Sequence, residues 1–545
     1  MSLNNIELDS TSSTKKAFLF FVMFSLASAI LLCVSARFLG SDINWDLQNY
    51  HFYDGYLTTH GRVIKDSLCT IQSYLELDIN AFYYYLISSL SPLHVNLALA
   101  FLQSFSISAA WVFCYCLLEG VEFSSRIILS SVGAVLAIIG PVFWSEIGGT
   151  MGDSLLEFPI IVALILVIDG HIKNDLKKIL ISGALLGIAS STKLTNMTYA
   201  FGVGGAIVIT SLVDLKVKKL FIQNISLVFG FLLGFFVIYY RTGEMLFHAY
   251  GNPFFPYFSN VFHTHYMESI AVVDRRWFPE SFAGYLLLPF ELMIRRSDQM
   301  NPNHLIGMEI PFQTLYLSVL AIIIPIFFIL WVAGIKIIKN KKMLFTLLFV
   351  AISIVVWEVM FSYYRYLALI ETIAPSILIV LLFQLTNQTK LRHYSLKISC
   401  FFVVAISVYS LPLLNWGRIP YSASYFGVGQ KDFSSYENAL IISSDAPMGF
   451  IYPYFPKSDR IIGLPELIPG LTQNFQDSYL EPLHEFKKIY VAGLLNQNLQ
   501  KNEEFLEKNY NVIVNHAECK NYVTYVDTVV LCPAVIHPLK TGGLP

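Results

Sequence analysis

Long apolar runs recur along the whole chain, and polar loops of varied length separate them. Runs of this length and composition are typical of membrane helices. We predict helices at 17–39, 94–118, 126–144, 154–169, 178–192, 196–213, 219–240, 312–338, 343–362, 365–385 and 396–414. An aromatic segment at 81–86 is too short to span and is expected to lie in the membrane interface. The pattern therefore predicts a polytopic all-α membrane protein with about 11 transmembrane helices.

The composition agrees with this pattern and excludes an ordinary soluble protein. Of the 545 residues, 55% are hydrophobic and 14% are charged, whereas soluble domains carry about 25% charged residues. The net charge of −2 identifies no partner, because the location of charge matters more than its sum in a membrane protein. We expect a protein integral to the membrane, with no nucleic-acid partner.

The positions of the basic residues predict the orientation of the helices. With 11 helices, most of the lysine-rich loops fall on one face, which includes Lys15, Lys16, Lys177, Lys178, Lys218 and Lys219. The positive-inside rule makes this face cytoplasmic and places the N-terminus there. The outer face receives 42–78, 146–153, Lys193, the loop 241–311 and Arg365.

The chain changes character after residue 414. Short apolar runs at 439–444, 488–492 and 529–532 predict buried strands, and 503–508 predicts a short helix. We therefore expect a membrane domain at 1–414 and a small extracytoplasmic α/β domain at 415–545. Cys519 and Cys532 belong to this second domain and can form a disulfide on the oxidising side of the membrane.

A polar stretch at 41–51, SDINWDLQNYH, follows the first apolar run directly. Carboxylates beside a bilayer are costly unless the protein uses them. If the first helix continues past Gly40, then Asp42, Asp46 and Tyr50 share one side of it. One carboxylate would act as a general base toward an acceptor hydroxyl or amine, and the other would orient it or bind a cation. A hydrated loop with helix-capping aspartates is an equally compatible interpretation.

Two further outer-face segments carry charge next to apolar runs. Asp153 and Glu157 are i, i+4 neighbours, and Glu157 lies one turn inside its apolar run, where a carboxylate needs a partner. Asp153 alone would also suit a helix N-terminus. Lys193 follows a run of small residues at 183–192, which permits close helix packing. This lysine would either reach lipid phosphates or neutralise the phosphate of a substrate.

Three arginines on the outer face are candidates for phosphate binding, namely Arg275, Arg276 and Arg365. A guanidinium group matches the geometry of a phosphate because it donates two parallel hydrogen bonds. Arginines near the membrane surface also contact lipids, so the residue type alone leaves both interpretations open.

Four motifs in this order resemble the GT-C glycosyltransferases, which include the protein mannosyltransferases and the aminoarabinose transferases acting on lipid A. The motifs are Asp46-x-x-x-Tyr50, Asp153 after Pro141, the segment 187–193 and Arg365-Tyr366. They cover roughly residues 17–385 and fall on one face of the membrane. Their joint order carries the resemblance, since each motif alone has low specificity.

The resemblance implies an inverting transfer of a sugar from a polyprenyl-phosphate donor to a lipid, glycan or protein acceptor, on the outer face of the plasma (inner) membrane. Asp46 would be the general base. The leaving phosphate would be stabilised by Lys193, Arg365 and one of Arg275 and Arg276. The remaining candidates are Asp42 and Asp153 for catalysis, and Tyr50, His51 and Glu157 for substrate binding.

One departure from the family pattern concerns metal dependence. Leu47 stands where the family usually carries a second acidic residue, so either Asp42 substitutes for it or the metal dependence differs. The sequence assigns no metal ligand and requires no cofactor, and a divalent metal is compatible with it.

Two other function classes are open to a chain of this pattern. A transporter or flippase of a polyprenyl-linked glycan would use the same charged cavity without chemistry, and an inactive scaffold would bind a partner through its outer domain. The enzyme is favoured because the carboxylates gather on one face, whereas transporters place ionisable groups near the bilayer midplane.

Overall fold

The computed structural model describes residues 3–66, 68, 70–270, 272–293, 313–333, 340–411, 417–463, 470–481, 485–495 and 499–536. Helices form most of this part of the chain. Up to residue 250 they are α1 Leu3–Leu39, α2 Phe52–Thr59, α3 Leu77–Ser89, α4 Pro92–Leu117, α5 Phe123–Ile138, α6 Pro141–Glu146, α7 Asp153–Lys173, α8 Leu176–Thr192, α9 Met197–Val213 and α10 Val217–Tyr250. Beyond it they are α11 Ser259–Phe262, α12 Phe282–Glu291, α13 Tyr316–Val332, α14 Lys341–Met360, α15 Ala368–Asn387, α16 Ser395–Tyr409, α17 Gln430–Phe433, α18 Gln473–Leu480 and α19 Leu499–Tyr510.

Within the described residues, each of the 11 predicted segments contains a helix. Parts of the predicted helices 312–338 and 396–414 lie outside the described residues. The segment 126–144 contains two helices, because α5 ends at Ile138 and a new helix, α6, begins at Pro141. Proline is tolerated in the first turn of a helix. The aromatic segment 81–86 belongs to α3.

Seven helical segments of the described chain are long and apolar enough to cross a membrane. They are Thr14–Leu39, Pro92–Leu117, Asp153–Lys173, Leu194–Val213, Val217–Tyr250, Lys341–Met360 and Tyr364–Asn387. Two shorter apolar helices, Phe123–Ile138 and Tyr316–Val332, accompany them. The protein is therefore an integral membrane protein, while the predicted number of 11 spans stays a prediction.

The chain divides into two compact units, and each is assembled from three separate segments. The first unit comprises Met1–Leu39, Asn96–Ile238 and Asp274–Trp416, and the second comprises Gly40–Val95, Tyr239–Val273 and Gly417–Pro545. The first unit has one continuous apolar core, formed mainly by α4, α5, α7, α9, α14 and α15. Large side chains such as Phe113, Phe143, Phe349 and Trp357 are fully buried in it.

The second unit contains a six-stranded sheet. Its strands are β3 Ala439–Ser443, β4 Arg460–Gly463, β5 Lys488–Leu494, β6 Val512–Val514, β7 Lys520–Val523 and β8 Thr528–Ile536. Their order in the sheet is β4-β3-β5-β8-β6, and β7 also pairs with β8. A separate two-stranded ladder pairs β1 Ser41–Asp42 with β2 Arg418–Ile419. The three strands predicted from the tail are confirmed as β3, β5 and β8, and the predicted helix as part of α19.

The first three strands of the sheet are parallel and the others are antiparallel to their neighbours. β3 pairs in parallel with β4 and with β5, whereas β8 runs antiparallel to β5, β6 and β7. Every residue of β3 is buried, as expected for a parallel strand covered on both faces. Cys519, next to Lys520 of β7, forms a disulfide with Cys532 of β8, as the sequence allows.

Candidate active site

Asp153 begins helix α7, at the end of a short connection from α6. Gly152, just before it, has a φ of +85°, a left-handed conformation that glycine adopts at no steric cost. The side chain of Asp153 is only 4% exposed, so its charge needs partners inside the protein.

Lys193 supplies one of these partners from the end of α8. Its Nζ atom donates to Asp153 Oδ2 at 2.9 Å and to the Met151 carbonyl oxygen at 2.8 Å. The Lys193 side chain is 5% exposed, so both members of this ion pair are removed from water. The long aliphatic stem thus carries a cation into the interior of the first unit.

Close packing of α8 on α10 fixes where Lys193 emerges. A Cβ atom at Gly183 or Gly187 would overlap the backbone carbonyl of Leu227 or Phe231, and one at Gly187 would also lie 2.7 Å from Phe235 N. The reciprocal glycines of α10, Gly230 and Gly234, meet the α8 backbone in the same way. Small residues at such spacing let helix backbones approach, as the sequence suggested for 183–192.

Replacing Gly187 with alanine is expected to push α8 away from α10 and lower the free energy of unfolding by about 1–3 kcal/mol, because the added methyl group has no space. Thermal or denaturant unfolding of the purified protein in detergent measures this. The matched control is Gly204→Ala in α9, where the nearest atom would be 3.7 Å away. Equal unfolding of the two variants would contradict the packing account.

Arg365 brings a second cation to the same carboxylate. It belongs to the short 3₁₀ helix Tyr364–Leu367, directly before α15, and its Nε atom lies 3.5 Å from Asp153 Oδ2. The Arg365 side chain is 7% exposed. Its Cζ atom lies 5.3 Å and 5.7 Å from the ring centroids of Tyr363 and Tyr366, at cation–π distance. Lys193 Nζ is 5.8 Å from the Tyr366 ring.

We name Lys193, Arg365 and Asp153 the cation cluster. Two positive charges share one aspartate, so the three side chains carry a net charge of +1. Burial, together with the nearby Asp153 carboxylate, raises the pKa of Glu146 and favours its neutral form. Glu146 Oε2 also accepts a hydrogen bond from Ser154 N at 2.8 Å.

Further buried polar groups around the cluster were missed by the sequence reasoning. Glu371 of α15 accepts hydrogen bonds from Val142 N at 2.9 Å and Phe143 N at 3.3 Å, and the Tyr364 hydroxyl donates to its other oxygen. Gln103 of α4 accepts from Gly148 N at 2.7 Å and donates to the Glu146 carbonyl. The position of Glu371 inside the apolar run 365–385 could have identified it, since carboxylates within membrane helices are rare and are usually functional.

Glu157 lies one turn after Asp153 on α7 and is 1% exposed. Its carboxylate is buried beside the buried hydroxyl of Thr372 of α15. The sequence therefore predicted its burial correctly, while its role in substrate binding stays a prediction.

The polar stretch 41–51 belongs to the second unit, and of the two conformations that the sequence left open, it does not adopt the continuation of the first helix. Helix α1 ends at Leu39, Asp42 lies on strand β1, and Asp42, Asp46 and Tyr50 do not share a helix face. The reason is Gly40, whose φ is +95° and where a Cβ atom would overlap the Ile419 carbonyl. Only glycine fits this position, and it turns the chain into the β1–β2 ladder.

Both aspartates of this stretch are buried nonetheless. Asp42 Oδ1 accepts from Asn44 N at 3.1 Å and from Asn44 Nδ2 at 2.9 Å. Asp46, 7% exposed, directly precedes a π-helical turn, Leu47–His51, which places Tyr50 and His51. His51 Nδ1 is 2.6 Å from Asn80 Oδ1 of α3. Single π-helical turns occur frequently at functional sites.

Arg275 and Arg276 are not part of the cation cluster. Both are exposed, and Arg276 NH2 pairs with Asp274 Oδ2 at 2.6 Å, with its side chain 73% exposed. Each lies in a loop where solvent screens its charge. The prediction that these two arginines bind phosphate therefore stays a prediction, and their exposure to solvent gives it no support.

The chain is similar to solved structures of another membrane protein. ArnT from Cupriavidus metallidurans bound to undecaprenyl phosphate is 13% identical, with a TM-score of 0.44, over 94% of this chain and 97% of that chain. Its apo structure is 13% identical, with a TM-score of 0.46, over 95% and 98%. ArnT is a lipid A aminoarabinose transferase, one of the enzymes that the sequence motifs resemble. No family model and no curated protein matches the chain. At this identity and TM-score, the likeness carries no functional assignment.

Proposed function

We propose that the protein is a membrane glycosyltransferase that takes a sugar from a polyprenyl-phosphate donor. The observation that carries the proposal is the cation cluster, in which Lys193 and Arg365 are both buried and share Asp153. Lysine and arginine are the side chains that bind phosphate in many proteins, lysine as a compact charge and arginine through its planar fork of N–H donors. In this proposal the two cations contact the phosphate of a lipid-linked donor, whose apolar tail lies in the membrane.

The chemistry follows from the charges of the assigned groups. The Asp46 carboxylate takes the proton of an acceptor hydroxyl or amine while that atom forms a bond to the anomeric carbon of the sugar. The bond from the anomeric carbon to the phosphate oxygen breaks on the opposite side, so the configuration inverts. Lys193 and Arg365 stabilise the charge that develops on the departing polyprenyl phosphate.

The other predicted residues take supporting parts in this proposal. Asp153 holds the two cations, and Asp42 orients the loop that carries Asp46. Tyr50, His51 and Glu157 contact the sugar or the acceptor, and Arg275 and Arg276 contact phosphate at the membrane surface. The acceptor is a lipid, glycan or protein on the outer face of the plasma membrane. A divalent metal is compatible with the acidic loop, and no step requires one.

Binding of undecaprenyl phosphate to the purified full-length protein tests the phosphate site without knowledge of the sugar. Undecaprenol, which has the same tail without the phosphate, is the matched control ligand. We expect undecaprenyl phosphate to bind at least about tenfold more tightly, because hydrogen bonds to charged groups contribute about 1.5–3 kcal/mol. Native mass spectrometry in detergent measures both. Equal affinities would remove the cation cluster as a phosphate site.

A flippase of a polyprenyl-linked glycan is the second candidate, favoured by Glu157 and Glu371, which lie within the apolar segments Asp153–Lys173 and Tyr364–Asn387. Ionisable residues within membrane helices often mark transport pathways. Reconstituted vesicles that carry labelled lipid-linked glycan separate the two functions. Translocation by the wild-type protein without release of polyprenyl phosphate would favour the flippase over the transferase.

A further inference from the structure

We propose that residues 417–463 of the C-terminal segment position the acidic loop 41–51, so that the placement of Asp46 depends on backbone contacts made about 400 residues later. The effect on turnover rests on the proposed function, whereas the bracing itself does not. All of the residues concerned lie in the second unit.

The first contact fixes the start of the loop. Strand β1 pairs antiparallel with β2, so that Asp42 lies opposite Arg418 and Ser41 opposite Ile419. The ladder is extended by Ile43 N, which donates to the Gly417 carbonyl at 2.7 Å. Gly417 has a φ of +58°, and a Cβ atom there would lie 2.7 Å from Asn44 Cα. The backbone on either side of Asp42 is therefore held by the C-terminal segment.

The second contact fixes the π-helical turn that follows Asp46. Phe450 N donates to the Gln48 carbonyl at 2.7 Å. A Cβ atom at Gly449 would overlap the Asn49 carbonyl oxygen and lie 2.8 Å from the Asn49 carbonyl carbon. A π-helical turn is a rare conformation, and here the loop after strand β3 supplies a donor to one of its carbonyls. Asp46 thus lies between two braced points, at Ile43 and at Gln48.

The third contact involves the carboxyl ends of the parallel strands. In open sheets this edge commonly holds a ligand at the point where the strand order reverses. Here β3 leads into the loop that carries Gly449. At the end of β4, a Cβ atom on Gly463 would overlap the Leu68 carbonyl. The segment that follows the acidic loop therefore occupies part of this edge. Arg62 adds hydrogen bonds to the carbonyls of Lys457 and Asp459.

At Gly417, Gly449 and Gly463, the glycine lies directly against the backbone of another segment. An alanine substitution adds one methyl group at such a position and therefore tests the contact. Catalytic groups must be held within about 0.5 Å of their productive position, and rigid supporting elements hold them there. An alanine at Gly449 displaces the Asn49 backbone, because ordinary contacts begin only at 3.4 Å. The strain falls on the turn, three residues after Asp46.

The experiment compares Gly449→Ala with Gly429→Ala in the purified full-length protein. Gly429 has extended backbone and open space within 4 Å, so alanine is accommodated there. We expect Gly449→Ala to lower the transfer rate about 10²-fold, the usual effect of a misplacement near 1 Å, with the KM for donor within about twofold. Gly429→Ala should keep the wild-type rate. Undecaprenyl phosphate affinity should be equal in both, because the cation cluster is unchanged.

Hydrogen exchange provides a readout that needs no substrate. Amides of residues 43–51 should exchange at least about tenfold faster in Gly449→Ala than in Gly429→Ala, because a local brace is lost. A second comparison is Gly417→Ala against Gly61→Ala, two glycines with nearly the same backbone conformation, since φ is +58° and +63°. Of these two, only Gly417 has atoms within 4 Å of the position that the added Cβ atom would take. This pair decides the question if Gly449→Ala does not fold.

The outcomes separate the inference from the proposed function. Wild-type turnover and exchange in both Gly449→Ala and Gly417→Ala would overturn the inference while the transferase assignment stands. Loss of undecaprenyl phosphate binding together with turnover would also overturn it, because the effect would then be a general one. A wild-type protein that transfers no sugar would overturn the proposed function, and the exchange comparison would still decide whether the C-terminal segment braces the loop.

Discussion

Replacing Asp46 with asparagine is expected to lower sugar transfer by about 10²–10⁴-fold, the usual contribution of a general base. Asparagine has nearly the same shape and cannot accept a proton, so the loss isolates the proton transfer from the structure. Asp46 is 7% exposed, directly before the π-helical turn. The measurement is the release of polyprenyl phosphate from a labelled sugar donor under single-turnover conditions.

The control for Asp46→Asn is Asp477→Asn, an exposed aspartate of α18 in the same unit. This variant should transfer at the wild-type rate. Binding of undecaprenyl phosphate should be unchanged in both variants, because neither aspartate belongs to the cation cluster. If Asp46→Asn transfers sugar as well as the wild-type protein, Asp46 is not the base, and Asp42 becomes the first candidate to replace it.

Replacing Lys193 with methionine is expected to lower the free energy of unfolding by about 3–5 kcal/mol, the cost of breaking a buried ion pair. Methionine has a similar length and no charge, so the variant removes the Lys193–Asp153 ion pair and leaves the contact between Arg365 and Asp153 in place. The same variant should bind undecaprenyl phosphate at least about tenfold more weakly, since it lacks one of the two cations that we propose to bind phosphate. Denaturant unfolding and native mass spectrometry measure the two effects.

The double variant Lys193→Met with Asp153→Asn distinguishes stability from function. It removes both charges of the Lys193–Asp153 pair, so part of the lost stability should return, although the contact between Arg365 and Asp153 is lost as well, and phosphate affinity should stay low. Lys341→Met is the surface control, because that lysine is 70% exposed and should contribute at most about 0.5 kcal/mol. A double variant that regains both stability and phosphate affinity would show that the cation cluster only stabilises the fold.

The sequence determined the long apolar helices of this protein, three strands and one helix of its tail, and the charged residues that are candidates for the site. Apolar runs fixed the helices because a chain in a bilayer must satisfy its backbone hydrogen bonds within each segment. Alternation of short apolar runs and polar turns in the tail was sufficient for β3, β5 and β8. The small residues of the segment 183–192 predicted a close helix contact, and α8 packs on α10 there.

The sequence also selected Asp153, Lys193 and Arg365 as residues of one face, and the tertiary structure brings these three together. Their roles in phosphate binding stay predictions until undecaprenyl phosphate binding is measured. Arg275 and Arg276 had the same residue type and the same predicted face, but they are exposed. Residue type and topology therefore select candidates, and burial separates them.

Only the tertiary structure decided which residues far apart in the chain contact each other. Glu371 accepts hydrogen bonds at Val142 and Phe143, and the ladder at Asp42 requires Arg418 as its partner. Periodicity and propensity report the local surroundings of a residue, and they contain no information about which distant carbonyl a glycine must approach. The sequence left open whether the first helix continues past Gly40, and the structure decides this point, because the close approach of Ile419 to Gly40 is incompatible with a helix there and α1 ends at Leu39, as predicted.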